Sequence, residues 1–195
     1  MKQFQSIKKI YIDQAVEDGP VAQSVIHSNS GIPFEITDRP REIMEEYMKR
    51  GPILEKDALL VYKYPGKFMS ACPGSDGMVC CNYMVINFGL NCLFDCHYCY
   101  LQSFLNNPLM SIFGNIEDLF AEIDFKTRNK KARFRIGTGE YTDSLALDYL
   151  TGYSTFLVEH FAGMENAVLE LKTKSSNVDR LLNLDHIGHT VVAWS

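Results

Sequence analysis

Asn91-Cys92-Leu93-Phe94-Asp95-Cys96-His97-Tyr98-Cys99-Tyr100 is the stretch on which the reading of this chain turns. Its cysteines follow a C-x3-C-x2-C spacing. Thiolates are the ordinary ligands of iron–sulfur clusters. Three on one short loop can hold three corners of a [4Fe-4S] cube, and no cysteine follows Cys99 to take the fourth. The fourth iron is then open to a small chelating molecule, much as a catalytic metal keeps one position free. Two other readings use the same residues. His97, Cys80 or Cys81 could complete a zinc site, although zinc more usually takes two Cys-x2-Cys or Cys-x2-His pairs. An electron-transfer ferredoxin normally supplies four cysteines.

The loop lies within a chain of 195 residues, of which 46% are hydrophobic and 22% charged. That is ordinary globular composition, enough for one domain with a substantial core and unlike a disordered or fibrous protein. The net charge of −5 argues against indiscriminate nucleic-acid binding, which needs phosphate neutralisation. Lys126 to Arg135 is the one dense basic stretch, and it reads as a helix end running into a strand. No apolar run is long enough to span a membrane, and the first nine residues lack the apolar segment of a signal peptide. The expected location is cytoplasmic. All six cysteines fall between residues 72 and 99, where scattered packing cysteines would not cluster. A reducing compartment makes disulfides an unsuitable explanation.

Outward from the loop, three parts are expected. Residues 1–65 read as a small α/β segment, with strands at Lys9–Ile12, Ile32–Ile36 and Ala58–Tyr62 and helices at Ala15–His27, interrupted early by Gly19-Pro20, and at Asp38–Lys49. Residues 66–81 are a Cys/Gly/Pro-rich connection. Residues 82–195 alternate strand and helix. Strands are expected at Tyr83–Phe88, Ala132–Ile136, Ala167–Lys172 and Thr190–Trp194. Helices are expected at Asn115–Asn129, Leu147–Phe161 and Asn177–Leu184. Such alternation implies parallel strands with crossovers, and ligands then gather at the carboxyl ends of the strands. The loops 89–100, 137–143 and 173–176, together with Ser195, become the candidate site. The sequence stops on an apolar strand, which predicts a barrel cut short after its fourth strand.

The C-x3-C-x2-C spacing with an aromatic residue before the last cysteine resembles the signature of the radical S-adenosylmethionine superfamily. Cys96-His97-Tyr98-Cys99-Tyr100-Leu101-Gln102 is similar to its spore photoproduct lyase branch. So are Asn115 to Phe120, Leu171 to Lys174, Asn177 to Leu182 and Asp185 to Thr190, so that the likeness covers roughly residues 80–195. The resemblance implies an α/β fold built as a partial (β/α)6 barrel, with Cys92, Cys96 and Cys99 as cluster ligands and S-adenosyl-L-methionine on the fourth iron. A donor such as flavodoxin or ferredoxin would supply one electron, a 5′-deoxyadenosyl radical would abstract hydrogen, and the substrate would be damaged DNA carrying a thymine-dimer lesion. A radical enzyme with a non-DNA substrate and a zinc-stabilised binding module are the alternatives.

The same resemblance assigns Tyr98 to the adenine, Gly137, Thr138, Gly139 and Glu140 to the methionine amino group, and Thr142 and Asp143 to a Ser-Asp pair of the lyases. It assigns Lys174 to the methionine carboxylate and Ser195 to a serine ending the fourth strand. Tyr98 and Tyr100 stand where tyrosines of the lyases help to return a hydrogen atom. The lyases also carry a donor cysteine after the second strand, and Arg133 to Asp148 contains none. Tyr141 is the local residue with a chemically suitable O–H. Cys72, Cys80 and Cys81 are left to an auxiliary metal site, a donor role or packing.

Overall fold

The computed structural model describes residues 7–50, 56–72, 77, 83–105, 107–129 and 131–194. Two five-stranded sheets organise them. The first has the order β2-β1-β3-β7-β6 and comprises β1 (Lys9–Asp13), β2 (Phe34–Thr37), β3 (Ala58–Tyr62), β6 (Gly89–Leu90) and β7 (Met110–Phe113). Its first four strands run parallel, and β6 closes the edge antiparallel to β7. The second has the order β10-β9-β8-β5-β4 and comprises β4 (Met69–Ala71), β5 (Tyr83–Ile86), β8 (Phe134–Thr138), β9 (Ala167–Thr173) and β10 (Thr190–Trp194). Here β5, β8, β9 and β10 are parallel neighbours in chain order, as expected for four successive strands of a partial (β/α) barrel.

The apolar pattern explains the layering. Every residue of β3 is buried, a continuous run typical of a parallel strand covered on both faces. The helix α6 (Tyr153–Ala162) buries Tyr153, Leu157 and Phe161 at four-residue spacing, with Ser154 and Val158 beside them. The helix α4 (Ile116–Thr127) buries Ile116, Leu119, Ile123 and Thr127. The two sheets share one hydrophobic cluster, stitched where the buried Tyr153 hydroxyl donates to the Phe113 carbonyl at 3.2 Å.

Several elements differ from expectation. The stretch Ala15–His27 is broken at the expected Gly19-Pro20, but its first part is only a single 3₁₀ turn at Gln14–Val16; α1 (Pro20–Ser28) then begins at the proline whose missing N–H costs nothing there. The second N-terminal helix, α2, spans Pro40–Lys49. The helix expected at Leu147–Phe161 is split into α5 (Asp148–Thr151) and α6, because Gly152 takes φ +60 between them. Asn177–Leu184 forms successive turns instead of a helix. Its amides bond three residues back, Leu181 to Val178 and Leu184 to Leu181, while the Asn177 side chain donates to the Leu145 and Ala146 carbonyls. Asn115 stands at the α4 N-cap position, but its side-chain oxygen accepts from the Tyr64 amide and not from its own helix. The strands β4, β6 and β7 and the short helix α3 (Leu101–Phe104) were not expected. As β6 and β7 join β1–β3, the first sheet draws strands from both sides of the 66–81 connection.

Because β3 is the fully buried middle strand of the first sheet, Leu60→Ala is expected to cost about 2–5 kcal/mol of folding stability. Chemical denaturation followed by circular dichroism checks this.

Candidate functional site

The parallel run of β5, β8 and β9 sends three carboxyl ends to one edge of the second sheet. The segments that follow them line a single open cleft of about 210 Å³. Cys92, Cys96 and Cys99 contribute one wall, Thr138 to Glu140 with Thr142 and Asp143 a second, and Lys172 to Lys174 a third.

The cysteine wall is shaped by local bonds. Asn91 takes φ +69, a conformation asparagine tolerates better than most residues. Its buried side chain donates to the Asn107 carbonyl at 2.8 Å and accepts from the Cys92 amide at 2.9 Å. The Cys99 amide then donates to the Cys96 carbonyl at 2.9 Å, curling the last two cysteines into one turn. Beneath them, the Lys56 ammonium donates to the Cys92 carbonyl at 2.7 Å and pairs with Asp95 at 2.8 Å. Burial pushes the Cys92 thiol up to about 11 against the lowering influence of nearby amides and Lys56, with the charge of Asp143 acting in the same direction as burial. Binding a metal there must therefore expel a proton.

The second and third walls are joined by one carboxylate. Asp143 Oδ1 accepts from the Leu145 and Ala146 amides, both at 2.9 Å, and from the Thr173 hydroxyl at 2.7 Å. Its Oδ2 accepts from the Lys174 amide at 2.7 Å. Gly139 has φ +82, and a Cβ there would stand 2.5 Å from the Thr142 carbonyl oxygen, so this turn requires glycine. The Thr138 hydroxyl is committed inward, to Ser144 and to the Glu170 carbonyl. The Glu140 amide donates to Asn87 at 3.3 Å.

The remaining candidates occupy distinct places. Gly137 lies within β8 and does not line the cleft. A Cβ on it would overlap the Tyr83 ring, so its lack of a side chain answers a packing need. Tyr98 is 78% exposed, with the Lys174 ammonium 5.5 Å above its ring. Burial disfavours the Lys174 charge, but a hydrogen bond and charge from Tyr98, with Cys96 and Asp143 adding to them, raise its pKa above the ordinary lysine value. The Tyr100 hydroxyl donates to the Glu140 carbonyl at 3.3 Å, and Phe104 bridges the rings of Tyr100 and Tyr141 at 5.9 and 6.1 Å. His97 is exposed and outside the cleft, as is the half-buried Cys72. Cys80, Cys81 and Ser195 lie outside the described residues.

Two features of the site were not foreseen. Lys56 is one. The other is a polar network below the cleft, in which Glu170 accepts from Arg135 Nε at 2.8 Å and from the Tyr83 hydroxyl at 3.3 Å and pairs with Lys172 at 3.3 Å. Burial alone would raise the Glu170 carboxyl, but Arg135 and Lys172 hold it below the ordinary carboxylate range. Alternation along β8 and β9 puts Arg135, Glu170 and Lys172 on one face, a period-two signal present in the sequence.

Among the described residues no three His, Cys, Asp or Glu side chains converge on a single ion.

The spore photoproduct lyase family model matches residues 77–195. The spore photoproduct lyase of Bacillus subtilis (strain 168) is 30% identical over 112 residues, which cover 56% of this chain and 33% of that protein. That of Geobacillus sp. (strain Y412MC61) is 29% identical over 112 residues, with the same coverage of 56% and 33%. A solved spore photoproduct lyase complexed with dinucleoside spore photoproduct has a similar fold, with a TM-score of 0.78 at 22% identity over 98% of this chain and 57% of that one. A mutant lyase solved with bound AdoMet and dinucleoside spore photoproduct gives a TM-score of 0.77 at 22% identity, over 96% of this chain and 56% of that one. The chain thus spans little more than half the length of these structures and a third of the curated proteins.

Asp143→Ala leaves four donors without their acceptor and is expected to cost about 1–3 kcal/mol. Asp143→Asn keeps one acceptor oxygen and should cost less. Denaturation midpoints of the two variants check the order.

Proposed function

The chain belongs to the spore photoproduct lyase family, and we propose that it is a radical S-adenosylmethionine enzyme that repairs a thymine-dimer lesion in DNA by carbon–carbon lyase chemistry. The observation that carries this reading is the cleft shared by the C-x3-C-x2-C loop and the carboxyl ends of β8 and β9. The relatives solved with dinucleoside spore photoproduct support the substrate class. A cytoplasmic location and an electron donor of the flavodoxin or ferredoxin kind belong to the same proposal. No helix among the described residues is long and apolar enough to cross a membrane.

In this reading Cys92, Cys96 and Cys99 hold three irons of a [4Fe-4S] cluster. Bound with S-adenosyl-L-methionine, the reduced cluster supplies a 5′-deoxyadenosyl radical for hydrogen abstraction. The chain's own task is to hold that cofactor beside one C–H bond and to exclude water. Lys174 offers a cation to the methionine carboxylate, with its backbone fixed by Asp143. The tight turn at Gly139 puts its backbone in the cleft lining, beside the place proposed for the amino group, and Glu140 accepts from that ammonium. Tyr98 lies against the adenine, and Thr142 and Ser195 complete the polar lining. Gly137 acts indirectly, by admitting the Tyr83 ring beneath the cleft.

Hydrogen return needs a donor other than the lyase cysteine. Tyr141 is assigned that role, with its O–H hydrogen passing to the product radical and a phenoxyl radical remaining. Tyr100, its neighbour across Phe104, would share the radical, and one electron from the flavodoxin- or ferredoxin-type donor with one proton from solvent would restore the phenol. The lack of a cysteine over 133–148 also favours, as a second reading, a radical enzyme with a different substrate.

Anaerobically reconstituted protein, given reductant, S-adenosylmethionine and dinucleoside spore photoproduct, is expected to release the two thymine units. Chromatography of the products reads this out. Cys96→Ala should abolish both turnover and 5′-deoxyadenosine formation. Tyr141→Phe should still form 5′-deoxyadenosine but repair little. Repair by Tyr141→Phe at the wild-type rate rules out Tyr141 as the donor. If the wild type forms 5′-deoxyadenosine but leaves the lesion intact, the substrate differs.

A further inference from the structure

Lys56 is a charged side chain with 7% of its surface exposed, and it belongs to the N-terminal sheet region, just before β3. A buried ammonium is costly unless its donors are all taken up. Here they are taken up by the cysteine loop, at the Cys92 carbonyl (2.7 Å), the Phe94 carbonyl (3.3 Å) and the Asp95 carboxylate (2.8 Å). The three acceptors span the stretch from the first cysteine to the residue before the second. We propose that Lys56 is a positioning residue for the cluster, acting through the loop and never touching substrate. It fixes the backbone between Cys92 and Cys96 in the shape that presents both thiols to the cleft. It also sets a positive charge against the backbone of Cys92.

This inference rests on Cys92, Cys96 and Cys99 being cluster ligands. It goes beyond that assignment in two respects. A residue thirty-six positions before the first of these cysteines controls their loop, so loss of the contact should weaken the cluster without any change in the cysteines. The fixed charge should also hold the reduction potential of the cluster up, because net charge and hydrogen bonding near an iron–sulfur centre set its potential. A lysine that merely braces the fold would affect neither property once the chain is folded.

The test uses the full chain as wild type, Lys56→Met, Lys56→Arg and Asp95→Asn, with circular dichroism to select folded protein. Asp95 is largely exposed, so its variant keeps the fold if Lys56→Met does not. After anaerobic reconstitution, iron per chain is measured under challenge by a chelator, and the cluster potential by redox titration. Lys56→Met is expected to hold the cluster about 10–100-fold less tightly than wild type, the usual effect of losing a residue that orients a ligand. The residual cluster should titrate at a lower potential. Asp95→Asn should show a smaller loss of retention and, with one negative charge gone, a higher potential, and Lys56→Arg should recover the potential while recovering retention only in part. If folded Lys56→Met or Asp95→Asn matches wild type in both retention and potential, the proposal is wrong while the cluster assignment stands. If the wild type itself takes up no iron–sulfur cluster, the cluster assignment fails and takes the proposal with it.

Discussion

The parallel direction of β5, β8 and β9 is the constraint on which the site depends. Hydrogen bonding fixes these strands side by side in chain order, so the segments leaving their carboxyl ends must emerge at one edge. Three stretches far apart in sequence, around residues 92–99, 138–143 and 172–174, then form one cleft without any of them being intrinsically ordered. Parallel strands need crossovers, and these are supplied by helices whose apolar stripes cover the outer face. The sheet thus decides where the chemistry sits, and short-range bonds decide its detailed shape.

Two charged side chains, the half-buried Asp143 and the buried Lys56, supply that detail. Asp143 ties the turn after β8 to the end of β9 through both carboxylate oxygens. Lys56 ties the cysteine loop to the segment just before β3. Each charge costs desolvation energy, and each is compensated by several hydrogen bonds, so removing one partner leaves others exposed to the same cost. Pre-organisation of this kind suits radical chemistry, in which a reactive species must meet one hydrogen and no other.

Much of this was legible in the sequence because the signals were local. The three cysteines declare themselves by spacing, and the four barrel strands by apolar runs between turn residues. The strand at Met110–Phe113 was legible in principle, as a short apolar run between Pro108 and Gly114, but four residues carry little periodicity. Gly137 illustrates the opposite case. A glycine at the end of a strand suggests close approach by a ligand, yet the space above it is filled by Tyr83, a residue more than fifty positions earlier. Lys56 gave no signal at all, since nothing local to it distinguishes a lysine that staples a distant loop from one in solvent. Asn177 opens the last expected helix, and its side chain instead donates across the fold to the Leu145 and Ala146 carbonyls.

The central claim is that Cys92, Cys96 and Cys99 hold a cluster with one iron open to S-adenosylmethionine. Electron paramagnetic resonance of the anaerobically reconstituted, reduced protein, recorded with and without that cofactor, addresses it most directly. The account predicts a reduced [4Fe-4S] signal that changes on addition of the cofactor, because a three-cysteine site leaves one iron free to bind it. A protein that carries zinc and gives no such signal, or a cluster whose signal ignores the cofactor, would contradict it.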